Sequence, residues 1–267
     1  MKKIRIDVYR LLERIRTNKP VVHHLTNWVT IYDCANVVKV LGASPVMAHA
    51  REEVAQMAQI ASSLVLNIGT LTVDFVEAMK KAALSANKKG IPVVLDVCGA
   101  GATSLRDRKS FELLDEVRID IIKGNASEVA RMAGERVSTK GVDAAAVDKN
   151  MRQVAKDLAS KRQCTVVVTG QEDIVAGEKN FFVVKNGTPM MTHVVGTGCM
   201  ATSVIGAFAA VEKNFAVASA AALVCFEVAA ERAAKTSLGP GTFKERLFDH
   251  LYHLDKKTIN RYQRVEA

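Results

Sequence analysis

The sequence predicts an α/β fold: a mostly parallel central sheet with an antiparallel edge and helices on both faces. Three observations carry that expectation. Short β-branched runs, "SSLVLNIG" (62–69), "IPVVLDV" (91–97), "IDIIKGN" (119–125) and "TVVVTG" (165–170), alternate with helix-like segments, the rhythm of parallel strands covered on both sides. Between 171 and 193 the rhythm changes to three closely spaced runs, "DIVAG", "FFVVKNG" and "PMMTHVV", which extend the sheet as an antiparallel edge. Finally, 267 residues that are 49% hydrophobic supply a sizeable core.

In chain order, "MKKIRIDVYRLLERIRTNK" alternates charged and apolar residues without a continuous apolar centre, so it reads as an amphipathic helix and not as a secretory leader. "VHHLTNWVT" (22–30) and "GASPVMAHA" (42–50) gather His23, His24, Asn27, Trp28, Met47 and His49. The adjacent His pair lacks a third ligand at a recognisable spacing and reads as structural or solvated. Met47 is either core filler or a contact for a flat aromatic or sulfur-containing ligand. The helix "TVDFVEAMKKAALSANKKG" has Thr72 as N-cap and Gly90 as its stop. Asn186-Gly187 is a hairpin signal. "VVGTGCMATSVIGAFAAV" (194–211) is uncharged and as long as a short membrane span. It and the following "FAVASAAALVCFEVAA" are dominated by Ala and small residues, which points to two buried helices against the sheet and not to membrane insertion. After 198 the chain reads as nearly all helix, with His250 and His253 on a solvated face. No linker, repeat or low-complexity tract divides residues 1–267, so a single domain is expected.

The formal charge of +9 is spread along the chain with no basic block and little aromatic interleaving. That excludes a nucleic-acid partner and suits anionic small molecules such as nucleotides. Cys34, Cys98, Cys164, Cys199 and Cys225 are far apart without a C-x-x-C pair, which fits neither a disulfide framework nor a zinc knuckle and suggests a reduced cytosolic setting.

Ligands in open α/β sheets sit beyond the C-terminal ends of the strands. "NIGT", "DVCGAGAT", "KGNASE", "VTGQED" and "GTGC" all follow strands. Gly196, Thr197 and Gly198 form a turn whose amides converge at a helix start, a place that favours phosphate or developing negative charge. Cys199 stands in the first turn of that helix; the plainer alternative is an ordinary loop with a small buried thiol. In "KGNASE", Asn125 and Glu128 have capping-box spacing that suffices to start a helix. Alternatively, Glu128 lies near magnesium through water and Lys123 against phosphate oxygens. Asp96 at a strand end is a turn-former or a metal partner, and Thr169 offers a hydroxyl to a nucleotide phosphate. Neither a P-loop nor a dinucleotide fingerprint is present.

Taken in order, "HHLTN", "LGASPVMAHAREEV", "LVLNIGTLT", "LDVCGAGAT", "IIKGNASE", "VVVTGQEDIV", "VGTGCMATSVIGAFAAVE" and "GPGTF" closely resemble the hydroxyethylthiazole kinases, a thiamine-salvage family of ribokinase-like fold. The resemblance implies a three-layer α/β/α kinase that phosphorylates the primary alcohol of 4-methyl-5-(2-hydroxyethyl)thiazole with ATP and Mg2+. It also implies a cytoplasmic homotrimer with active sites between subunits. By matched position, Met47 and Gly196 contact the thiazole, Asn27 completes its pocket, Lys123 and Thr169 contact ATP, and Glu128 and Asp96 are water-mediated magnesium partners. Cys199, with the turn Gly196, Thr197 and Gly198, is then the catalytic element: the thiolate takes the alcohol's proton while the amides stabilise the migrating phosphoryl group. Related kinases of hydroxymethylpyrimidine or pyridoxal are the alternative, followed by an ATP- or ADP-dependent nicotinamide-hydrate dehydratase. Three positions depart from the family pattern. Lys123 replaces an arginine, which keeps the charge but loses the bidentate fork; "DVCGAGA" replaces "DPVGAGA"; and His24 replaces an asparagine.

Overall fold

The computed structural model describes residues 1–135 and 150–267. Its centre is a ten-stranded sheet of order β1-β10-β9-β8-β7-β6-β5-β4-β2-β3. The parallel part consists of β2 (Val21–Leu25), β3 (Ser44–Val46), β4 (Ser63–Asn67), β5 (Val93–Asp96), β6 (Ile121–Asn125) and β7 (Thr165–Thr169). Four of these are the strands expected from the β-branched runs. The antiparallel edge is β8 (Asp173–Ala176), β9 (Phe181–Val184), β10 (Val265–Glu266) and β1 (Lys3–Ile4).

Side chains alternate strictly across this sheet, as a two-residue period requires. Val22, Val65, Val94, Ile121 and Val167 join one core. Leu25, Leu64, Leu66, Val93, Leu95, Ile122, Val166 and Val168 join the other. The first core is covered by α1 (Val8–Asn18), α2 (Ile31–Leu41), α8 (Thr197–Ala209), α9 (Phe215–Thr236), α10 (Pro240–Tyr252) and α11 (Lys256–Tyr262). The second is covered by α3 (Val54–Ile60), α4 (Val73–Lys89), α5 (Ser104–Glu116), α6 (Ala126–Met132) and α7 (Met151–Arg162). The result is the expected three-layer α/β/α arrangement.

Local signals set several boundaries as read. Thr72 caps α4 through the Phe75 amide at 3.2 Å, and Gly90 ends it in the left-handed region at φ 79°. The two uncharged runs are α8 and α9, both packed against the sheet; among the described residues no helix is long and apolar enough to cross a membrane.

Two expectations need correction. Asn186-Gly187 is not a hairpin: the β8–β9 turn lies at residues 177–180, and the run "PMMTH" is a 3-10 helix (Pro189–His193). Asn186 Nδ2 instead donates to Glu231 and to the Tyr262 carbonyl, while its Oδ1 accepts the Arg264 amide at 2.8 Å. The chain ends are also not purely helical, because β10 pairs with β9 and β1 pairs with β10, closing the sheet edge with both termini.

Candidate active site

The site begins with strand register. Asn67 is paired with Asp96 and Asp96 with Lys123, so one polar row crosses the C-terminal ends of β4, β5 and β6. Val65, Val94 and Ile121, two residues earlier, pack on the α8 side. The row therefore faces the start of α8. All three side chains are buried, and each polar group is answered from within the site.

The start of α8 is brought to that row by Gly196. Its φ is +92°, and a Cβ there would lie 2.4 Å from Thr30 Cγ2, so both conformation and space require glycine. The first helical turn leaves the Thr197, Gly198 and Cys199 amides without partners inside the helix, where the macrodipole favours an anion. Lys123 reaches this turn: a Cβ on Gly198 would stand 3.1 Å from its Nζ. The same Nζ lies 3.2 Å from Asp96 Oδ2, which also accepts the Thr202 hydroxyl at 2.6 Å. Asp96 Oδ1 has no partner.

Cys199 is half-buried at the mouth of α8. Its sulfur lies 3.1 Å from Asn27 Nδ2 and 3.2 Å from Asn67 Nδ2. Asn27 is held in turn by Thr30, whose amide and hydroxyl both donate to Asn27 Oδ1. The Cys199 thiol is pulled down to about 6, chiefly by a hydrogen bond from Cys98; burial and the Asp96 charge oppose this, and Lys123 and Thr30 assist it. Burial lowers the Lys123 ammonium, but the Asp96 and Glu128 carboxylates outweigh it and hold the group above its ordinary value.

Glu128 sits where two loops meet. Its Oε2 accepts the Asn125 amide and its Oε1 the Gly99 amide, both at 2.7 Å, while Asn125 Oδ1 accepts the Glu128 amide at 3.0 Å. The capping box is therefore real, and the same carboxylate also fastens the glycine-rich turn after β5. Burial pushes Glu128 up to about 7, with the Asp96 charge acting the same way and Lys123 and the two amides pulling back.

The structure brings Asn27, Asp96, Lys123, Glu128, Gly196, Thr197, Gly198 and Cys199 to one place. Thr197 turns its hydroxyl away, to the Met191 carbonyl at 3.0 Å. Thr169 lies at the neighbouring end of β7, its hydroxyl on the Gly124 carbonyl at 3.3 Å. Met47 stands farther out, after the edge strand β3, in a loop fixed by His23 Nε2 on the Ala48 carbonyl at 2.7 Å. His49 in this loop meets the Trp28 ring edge-on at 4.5 Å. His24 is buried and neutral, lowered to about 3 mainly by burial, with Nδ1 on the Val22 carbonyl.

Four site residues carried no individual signal: Asn67, Cys98, Thr202 and Arg106. Arg106 donates to the Ile68 carbonyl at 2.8 Å and the Cys98 carbonyl at 3.0 Å, tying together the loops after β4 and β5. Asn67 and Thr202 become visible only when strand register and helix phase are applied together. Cys98 lay inside the quoted glycine-rich turn.

The model of the hydroxyethylthiazole kinase family matches residues 12–257. The chain belongs to the hydroxyethylthiazole kinase family. It is 51% identical over 255 residues to the hydroxyethylthiazole kinase of Methanosarcina mazei, covering 96% of this chain and 98% of that one. Among solved structures, the hydroxyethylthiazole kinase protein from Pyrococcus horikoshii OT3 superposes with a TM-score of 0.87 at 37% identity, over 97% of this chain and 98% of the other. A ribokinase-like superfamily protein from Enterococcus faecalis, 13% identical with a TM-score of 0.66 over 95% of this chain and 99% of its own, shares the fold. Membership of the hydroxyethylthiazole kinase family accords with the anion-binding turn at the start of α8.

Proposed function

We propose that the protein transfers the γ-phosphoryl group of ATP to the primary alcohol of 4-methyl-5-(2-hydroxyethyl)thiazole, acting as one kinase domain in cytoplasmic thiamine salvage. The observation that carries this reading is a sulfur lowered to about 6 in the same helix turn as the free amides that would hold a phosphoryl group. The alcohol oxygen forms a bond to the γ-phosphorus as the bond to the β–γ bridging oxygen breaks, and ADP leaves with that electron pair. The alcohol's proton passes to the Cys199 thiolate. Such transition states are loose, so positioning and charge stabilisation by the Gly196–Cys199 turn contribute most.

Lys123 and Thr169 meet the ATP phosphates at the ends of β6 and β7. Met47, Gly196 and Asn27 line the thiazole side, where Trp28 and Phe75 stack at 5.8 Å. Asp96 and Glu128 fit a hydrated magnesium ion: Asp96 Oδ1 is buried and unpartnered, and each Glu128 oxygen keeps a lone pair beyond its amide bond. When bound, Mg2+ neutralises charge on the ATP phosphates, keeping waters between itself and the two carboxylates. Beside the site, Trp28, Val29, Tyr32 and Val195 are exposed; in a homotrimer this apolar rim is the face a neighbouring subunit covers, which places the site between copies.

Incubation with Mg-ATP and a panel of thiazole, pyrimidine and pyridoxal alcohols, read by product mass, tests the reading. The thiazole alcohol is expected to be phosphorylated with the highest kcat/KM; a pyrimidine or pyridoxal alcohol ahead of it overturns the substrate. Base catalysis contributes about a hundredfold to ten-thousandfold, so Cys199→Ala is expected to lose at least about a hundredfold in kcat/KM, and a loss under about tenfold rejects the base role.

A further inference from the structure

Several hydrogen-bond donors converge on the Cys199 sulfur. Asn27 and Asn67 amide groups stand 3.1 and 3.2 Å away, and the Cys98 thiol, at the end of the β5 loop, hydrogen-bonds to the same atom. A neutral thiol accepts weakly, whereas a thiolate accepts strongly. The surroundings decide which of the two sulfurs gives up its proton. Cys199 has the two side-chain amides, the Thr30 hydroxyl, the Lys123 ammonium and the free amides of the first turn of α8. Cys98 faces the carboxylates of Asp96 on β5 and Glu128 on α6, and burial and these charges hold its proton in place. Cys34 of α2, beneath the site, is itself held protonated by burial, at about 11. The negative charge therefore settles on Cys199 and the shared proton on Cys98.

We propose that Cys98 is a positioning residue for phosphoryl transfer, its S–H donating to Cys199 so that Cys199 enters the reaction as a thiolate aimed at the substrate alcohol. This inference rests on the reading in which Cys199 takes up the alcohol's proton. Cys98 occupies the place of valine in the "DPVGAGA" pattern, so this chain replaces an apolar side chain of similar volume with a donor. Cys98→Val consequently removes the proton and leaves the space filled.

The test measures Cys199 ionisation directly, without substrate, in the full-length protein. Ultraviolet titration of the thiolate and the pH dependence of iodoacetamide alkylation at Cys199, located by peptide mass, are compared for wild type, Cys98→Val and Cys98→Ser, with Cys199→Ser assigning the signal. The wild-type midpoint is expected at about 6. Cys98→Val is expected to raise it by at least about one unit and to slow alkylation at the wild-type midpoint about fivefold. Cys98→Ser, which retains a donor, is expected to stay near wild type. The acid limb of kcat/KM moves by the same shift, with KM for ATP unchanged. An unmoved midpoint in Cys98→Val overturns the proposal, as does a shift of equal size in Cys98→Ser, which would trace the effect to volume and not to the proton. A shifted midpoint in a protein that phosphorylates no thiazole alcohol upholds the thiol pair and overturns the proposed substrate.

Discussion

Glu128 illustrates how one side chain can hold two sequence readings at once. Its capping-box geometry was legible from the spacing of Asn125 and Glu128, but the 2.7 Å bond from the Gly99 amide joins residues 29 apart in sequence. Each oxygen accepts one backbone N–H. Glu128→Gln must therefore set an amide NH2 against one of those donors and leave a buried N–H unpaired, which costs about 1–3 kcal/mol. It also removes the charge proposed to face hydrated magnesium. The expected outcome is a lower melting temperature together with a kcat/KM loss of roughly tenfold or more. Calorimetry and steady-state kinetics on the same preparation check it, and an unchanged melting temperature would show that the carboxylate is not the clamp described.

At the scale of elements, α8 decides where the chemistry sits, because it lies directly on the sheet. A Cβ on Gly206 would stand 2.3 Å from Val65 Cγ2 and 3.4 Å from Val22 Cγ1, so this helix approaches β4 more closely than any side chain allows. Gly206→Ala is expected to push α8 outward, costing about 1–3 kcal/mol, and to lower kcat by displacing Cys199 from the Asn67–Asp96–Lys123 row. Gly241→Ala, where nothing lies within 4 Å, is expected to change stability by less than about 0.5 kcal/mol. Equal losses in the two variants would refute the close-packing argument. The parallel strands and α4 were legible because β-branched runs, Thr72 and Gly90 act locally. The strands β1 and β10 were not, since each has two residues and exists only because the termini meet. Asn186-Gly187 misled for a related reason: its side-chain bonds go to α9 and the C-terminal segment, which no short window contains. The site loops could be located by the strand-end rule, whereas Asn67, Thr202 and Arg106 needed register, helix phase and a long-range contact respectively.

Across the whole molecule, the antiparallel edge is tied to the helical layer by an acid pair. Asp173 at the start of β8 and Glu227 on α9 are both buried, and each has one oxygen without a donor, Asp173 Oδ2 and Glu227 Oε2. Two carboxylates cannot face one another in a dry interior unless a proton lies between them. Burial raises both groups, and the Asp173 charge and hydrogen bond raise Glu227 further, so Glu227 keeps the proton and donates it to Asp173. The pair matters to the nucleotide side because Asp173 Oδ1 also accepts the Gly170 amide at 2.9 Å, closing the turn after Thr169. The linkage sign follows from the raised value. Above the ordinary glutamate value of 4.5 the unfolded chain releases this proton while the folded chain retains it, so stability falls as pH rises toward the folded-state value. Glu227→Gln supplies the donor permanently and has no proton to release. Its melting temperature is expected to match wild type near pH 4 and to exceed it by roughly 2–4 °C at pH 8, with a flatter profile between. Scanning calorimetry across that range decides the point: parallel profiles for the two proteins would mean that no shared proton holds β8 against α9, and the stability of the nucleotide-side turn would have to come from the Gly170–Asp173 bond alone.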